Sequence, residues 1–217
     1  MFTNFSLVHI QVLLNGLLWT VILSMISFVF GGLVGFALAL GGISKNRAVA
    51  GLVNAYISLV QGTPVLILMF VIYFGLPIVG IEVSSLVAAS VAMVIFSSAF
   101  LGTIWRASLQ SVARTQWEAA DCLALSGWQR MGLVVLPQAV RIATPPTVGF
   151  MVQIVKNTSL ASVIGMAEVT YIAKQVNAST FQPFTTYLVI ALFYFAICFP
   201  LSVLSRRFER IYSVSRR

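Results

Sequence analysis

Two short stretches gather polar groups densely in a chain that is mostly apolar. The first, residues 114–137, reads RTQWEAADCLALSGWQRMGLVVLP and places Glu118 and Asp121 close together. The second gathers Gln153, Lys156, Asn157, Thr158 and Ser159. Neither is equipped for covalent catalysis, which needs a nucleophile with a base, or a metal cluster. The single histidine, His9, stands at the entrance to a long apolar run and reads as an interfacial side chain rather than a ligand or proton relay. Cys122 falls in the polar stretch and Cys198 in an apolar one, so neither a disulfide nor a metal site is supported. A GxxxxGK[ST] phosphate-binding loop is also lacking. What these residues can do is recognition: their charges demand water or a protein partner, and their amides and hydroxyls can hydrogen-bond a small polar molecule.

The elements that must position them are membrane helices. Hydrophobic residues make up 59% of the 217 and charged residues 8%, against roughly one quarter charged in soluble domains. With about 20 residues needed per span, five spans can be marked, near 12–40, 52–78, 84–108, 132–156 and 184–205. The fold class is therefore an all-α integral membrane protein with five transmembrane helices, residues 1–217 forming one transmembrane domain. Arg114, Asp121 and Arg130 would each cost about 2.5–3.5 kcal/mol at a bilayer centre, so the 114–137 stretch lies in water. A short surface helix fits it, with Trp117, Ala120, Leu123 and Ala124 on one face and Glu118, Asp121 and Cys122 toward the other.

Charge decides the orientation. Lys45 and Arg47, then Arg106, Arg114 and Arg130, then Arg206, Arg207, Arg210, Arg216 and Arg217 fall on one side of the alternating spans, while Lys174 lies opposite with Glu82 and Glu168. The positive-inside rule puts the N-terminus outside and the C-terminus in the cytoplasm. The net charge of +8 is mostly this topology signal. It is a poor fit to nucleic-acid binding, because the basic residues are divided among membrane-flanking loops, whereas the basic tail suits anionic lipid headgroups. The first residues carry no basic n-region and no cleavage signal, so they read as the lead into an uncleaved first span.

Within the spans, Gly31 and Gly35 have the spacing that lets helix backbones approach. Gln61-Gly62-Thr63-Pro64 predicts a kink in the second span, because proline breaks the hydrogen-bond ladder and the freed groups need protein, water or a ligand. Ser90, Ser97, Ser98 and Thr103 make the third span weakly polar on one face, either lining a path or bonding back to their own helix. Pro137 is read as the start of the fourth span and Thr144-Pro145-Pro146 as a strong kink within it. Residues 156–159 follow, either as polar groups beside a broken helix, the usual construction of a transporter site, or as a snorkelling lysine with a cap for an outer helix near 160–176.

Glu118-Ala119-Ala120, followed by Val134, Leu136 and Pro137, resembles the EAA loop of permease subunits in bacterial ATP-binding-cassette importers. Gln61-Gly62-Thr63-Pro64, Tyr73-Phe74-Gly75-Leu76-Pro77, Lys156-Asn157-Thr158-Ser159-Leu160, Val163-Ile164-Gly165 and Thr180-Phe181-Gln182-Pro183-Phe184 resemble its polar-amino-acid branch. The resemblance implies that Glu118, Ala119, Ala120, Asp121 and Ala124 belong to a coupling helix seated on a cytoplasmic ATPase. It further implies a substrate path drawn from Gly62, Thr63, Ser98, Thr103, Gln153, Lys156, Asn157, Thr158 and Ser159. The expected partners are a second permease subunit, identical or similar, two ATPases that hold the ATP and magnesium, and an extracytoplasmic solute-binding protein. The chain itself would carry no cofactor and would be no enzyme.

The chain departs from the family pattern at four positions. Gln61 stands where arginine is usual, Thr103 where glutamate is usual, Asn157 where aspartate is also common, and Ala124 where glycine is expected. At Ala124 either the helix continues or the turn moves to Ser126-Gly127. Without an acid in the path, the set suits an α-carboxylate and neutral or acidic side chains better than arginine or lysine. The alternative of an ion-coupled secondary carrier calls for acids within spans and a repeat between halves, and neither is visible.

Overall fold

The computed structural model describes residues 5–214. The terminal arginines Arg216 and Arg217 of the basic tail, and the first residues of the N-terminal lead, lie outside them.

Helix α1, Leu7–Gly42, has 36 residues, about 54 Å at 1.5 Å each and well beyond the roughly 30 Å hydrocarbon core. Its entrance explains His9, whose Nδ1 accepts the Ser6 N–H at 3.0 Å, satisfying a backbone donor that a helix start leaves free. A Cβ added at Gly31 would come within 2.6 Å of the Ser97 Cβ, and one at Gly35 within 2.9 Å of the Gly102 nitrogen. The small-residue spacing thus serves packing inside the subunit, against α4, Ser85–Gln110. Helix α4 is the centre of the bundle, with Ala88, Ala92, Met93 and Leu101 fully buried on it.

The second span is not one kinked helix. Helix α2, Arg47–Gln61, and helix α3, Val65–Ile78, meet at 95°, across Gly62-Thr63-Pro64. Pro64 cannot donate to the ladder, the Thr63 hydroxyl bonds the Leu59 carbonyl at 2.8 Å, and Gly62 closes the α2 end with its N–H on Ser58 O. Among the described residues, four helical stretches are long and apolar enough to cross a membrane, and five if this bent pair counts as one.

Helix α5, Arg114–Cys122, follows α4. A single turn α6, Gly127–Gln129, is capped by Ser126 and Gln129 and runs into a π-helical segment, Arg130–Val135, and then helix α7, Leu136–Asn157. Pro137 therefore does not start the fourth span. The helical path begins ten residues earlier, and the widened π turn relieves the clash a proline ring makes with the carbonyl four residues back. The kink expected at Pro145-Pro146 does not interrupt α7. Helix α9, Pro183–Val214, braces that region, Ser205 Oγ donating to Pro145 O at 2.8 Å.

Beyond α7, residues 157–159 do not cap an outer helix. The Thr158 and Ser159 hydroxyls bond backward to Val155 O and Lys156 O, each at 2.7 Å, and the chain tightens into a 3-10 segment, Thr158–Ile164. Helix α8, Val169–Thr180, is capped by Glu168 instead. Glu168, read from the sequence as a loop charge, is fully buried. Cys122 is exposed, Cys198 buried, and both are free.

Candidate functional site

Three polar regions carry the groups singled out in the sequence. At the first, α5 turns Ala120 inward and half-buries Trp117, while Glu118, Ala119 and Asp121 remain exposed. Arg114 Nε pairs with Glu118 Oε1 at 2.9 Å, one helical turn apart. Arg130 pairs with Asp121 and lays its guanidinium 5.6 Å from the Trp117 ring centroid, so the π segment is fastened to α5. The apolar face is shorter than the periodicity implies: Leu123 is 74% exposed, because the helix ends at Cys122. The turn falls on Ala124 itself, at φ 52°, rather than on Ser126-Gly127. Ala124 N–H reaches Asp121 O at 2.9 Å and Leu125 N–H reaches Ala120 O at 3.2 Å, the paired bonds of a Schellman ending. A cleft of about 1130 Å³ joins Glu118 and Asp121 to Lys45 in the α1–α2 turn and to Trp128. Trp128, 86% exposed, escaped the sequence reading. Its signal was available, since an indole in a polar loop is unusual for a side chain that gains most from burial.

The second region joins α2 to α4. Arg106 donates to Asn54 Oδ1, the Tyr56 hydroxyl meets Ser98 Oγ at 2.7 Å, and Gln61 Nε2 donates to Thr103 Oγ1 at 3.0 Å. Two separate departures from the family pattern are thus a single contact: an amide and a hydroxyl stand where the pattern has an arginine and a glutamate. Ser98 is 0% exposed and serves this contact inside the subunit, so it lines no open path here. Thr103 and Gly62 are exposed and Thr63 half-buried at the α2–α3 break. Asn54 and Tyr56 were missed, because nothing local marks which face of a short helix will meet α4.

The third region is the end of α7. Gln153 and Lys156 are exposed and Asn157 half-buried, with Gln153 Nε2 on Asn157 Oδ1 at 3.1 Å. Thr158 is withdrawn into the interior at 0% exposure, and Ser159 is half-buried with its hydroxyl spent on backbone. The groups free to meet a solute are therefore one ammonium and two amides, with no carboxylate among them.

Comparison with known proteins decides the family. The profile described as binding-protein-dependent transport system inner membrane component matches residues 30–213. The chain belongs to that family. Among curated relatives, this permease is 34% identical over 211 residues to the probable amino-acid ABC transporter permease protein YckA of Bacillus subtilis (strain 168), covering 97% of this chain and 93% of the relative. It is also 34% identical to the probable glutamine ABC transporter permease protein GlnM of the same organism, over 98% of both chains. A chain from the crystal structure of an amino acid ABC transporter with histidines superposes with a TM-score of 0.86 at 32% identity, covering 92% of the permease and 94% of that chain. The permease is thus a multi-pass inner-membrane transport component with the fold of an ABC importer subunit.

Proposed function

We propose that the permease is the membrane-spanning subunit of an ATP-driven importer of polar amino acids. The relatives named for amino-acid and glutamine transport support the cargo class. The observation that carries the mechanism is α5: an exposed acidic helix, tied back to the fourth span by Arg130 over Trp117, is a surface that can pass a push into α7. Glu118, Ala119, Ala120 and Asp121 meet a cytoplasmic ATPase, which holds ATP and magnesium, and the Ala124 turn fixes the angle of the helix. The clustering of Lys45, Arg114 and Arg130 around one cleft supports a single cytoplasmic face, with the N-terminus outside and the C-terminus inside. Helix α9 is largely exposed along its apolar length, which leaves faces for lipid and for a second permease, identical or similar, that completes the path. An extracytoplasmic binding protein delivers the solute.

Gln153, Lys156 and Asn157 contact the cargo, with Gly62, Thr63 and Thr103 at the α2–α3 break, while Ser98, Thr158 and Ser159 shape the walls. Lys156 suits the α-carboxylate, and amides suit neutral side chains, so neutral polar or acidic amino acids are carried in preference to arginine and lysine. The test is uptake in reconstituted vesicles with the matched binding protein. Uptake should collapse on ATP depletion and survive an uncoupler, and neutral cargo should outcompete arginine. Robust arginine transport by a homodimeric permease would overturn the substrate assignment, and uptake abolished by the uncoupler alone would overturn the ATP-driven one.

A further inference from the structure

Glu168 stands apart from all three polar regions. It is 0% exposed, yet it touches three elements. Oε1 accepts the Tyr171 N–H at 2.9 Å, which caps α8. Oε2 accepts the Tyr194 hydroxyl of α9 at 3.1 Å and the Thr20 hydroxyl of α1 at 3.3 Å. Thr20 Oγ1 in turn receives the Val169 N–H at 3.3 Å, and a Cβ at Gly16 would come within 2.9 Å of the Val169 Cα. The Tyr194 hydroxyl also meets Thr170 Oγ1 at 3.1 Å, and Lys174 of α8 donates to Ser162 Oγ at 2.9 Å, which joins α8 to the 3-10 segment that begins at Thr158. Carboxylates are almost never fully buried unless paired with a cation, and among the described residues Glu168 has no ion pair. The titratable group facing it is Tyr194 from α9, α8 contributing the Tyr171 N–H and α1 the Thr20 hydroxyl; Lys174 is turned to Ser162 Oγ instead.

We propose that Glu168 is a positioning residue for solute passage, its carboxyl clamping the start of α8, and through α8 the 3-10 segment that follows Asn157, to α1 and α9. The proposal rests on the reading of the end of α7 as part of the path. The clamp closes in either charge state. As a carboxylate, Glu168 accepts from Tyr171, Tyr194 and Thr20. When protonated on Oε2 it can donate to Thr20 Oγ1, whose own hydroxyl then turns to Gly16 O, 3.3 Å away. Burial pushes the carboxyl above the ordinary carboxylate range, against the pull of the Thr170 and Tyr171 N–H groups and the Tyr194 hydroxyl. The folded chain then binds a proton that the unfolded chain has lost, so this contribution to stability is full below the ordinary carboxylate value and falls as pH rises through the raised one.

The experiment uses the complete transporter in vesicles, with its ATPase and binding protein, as wild type, Glu168→Gln, Glu168→Ala and Tyr194→Phe. Uptake rate, ATPase retention and thermal stability are followed from about pH 5 to about pH 8. Glu168→Ala should lower the maximal uptake rate about tenfold, the scale of one lost buried hydrogen-bond partner, with half-saturation by loaded binding protein and ATPase retention unchanged. Glu168→Gln should restore most of the rate and remove the loss of stability with rising pH, and Tyr194→Phe should fall between. Wild-type rates in both Glu168 variants, or a rate in Glu168→Gln no better than in Glu168→Ala, would overturn the proposal. If Glu168→Ala does not accumulate in the membrane, Glu168→Gln and Tyr194→Phe decide it by the same readouts. Lys156→Ala and Gln153→Ala are measured alongside: if they leave solute preference and rate untouched while the Glu168 variants slow turnover, the path reading fails and the clamp does not.

Discussion

Ala124 holds a backbone conformation that its side chain opposes. At φ 52° its Cβ crowds the following carbonyl, at a cost of about 1–2 kcal/mol for a residue that is not glycine. The two backbone bonds of the Schellman ending keep it there. Ala124→Gly should therefore stabilise the permease by about 1 kcal/mol, the relief of strain exceeding the added entropy of an unfolded glycine, as a higher melting temperature in detergent with unchanged uptake would show. The Gln61–Thr103 contact makes a second prediction of the same scale. Gln61→Arg alone keeps a donor toward the Thr103 hydroxyl and the Ala99 carbonyl, so at this exposed position it should change stability by less than about 0.5 kcal/mol. Adding Thr103→Glu should pair the two for about 0.2–1 kcal/mol, and a double-mutant cycle with no coupling between the two would show that the contact is incidental.

Whole helices are held by two unlike devices. Helix α1 lies so close to α4 that Gly31→Val would drive a side chain into Ser97. Because backbone rather than a flexible tip must move, loss of at least about 1–3 kcal/mol is expected, read as reduced yield and an earlier melt. Helix α5 is held by charge and by Trp117. Its Arg114–Glu118 pair is widely exposed at 91% and 59%, and such pairs on a helix contribute only about 0.3–0.5 kcal/mol. Glu118→Lys should therefore leave insertion and folding intact. On a docked surface, however, the reversed charge would be left unpaired, costing roughly 2–5 kcal/mol. ATPase retention and coupled uptake should both fall, and normal values of both would remove α5 from the docking role.

At the scale of the whole molecule, the described residues expose much apolar surface. Its spans show many exposed apolar side chains, among them Phe184 at 81%, as expected of a chain surrounded by lipid. Sidedness is a property of this scale, set by loops that lie far apart in the chain. Cysteine placed at Lys174 should react with an impermeant thiol reagent added outside intact cells, and cysteine at Lys45 should not. Reversal of that pattern would invert the membrane arrangement.

Composition made the helical membrane fold legible, because apolar runs of span length have few other solutions, whereas the family was legible only through the motifs that resemble its EAA loop and polar-amino-acid branch. The polar cluster at the end of α7 was legible as a cluster, but not which members face outward. That depended on hydroxyls of Thr158 and Ser159 turning back to their own carbonyls. The 95° break between α2 and α3, the unbroken course of α7 through two prolines and the burial of Glu168 were decided only by tertiary packing. A proline states that a hydrogen bond is missing but not how the neighbouring helix will compensate. An acid states its charge, but whether it is buried depends on which distant groups, here Thr20 and Tyr194, arrive to bond it.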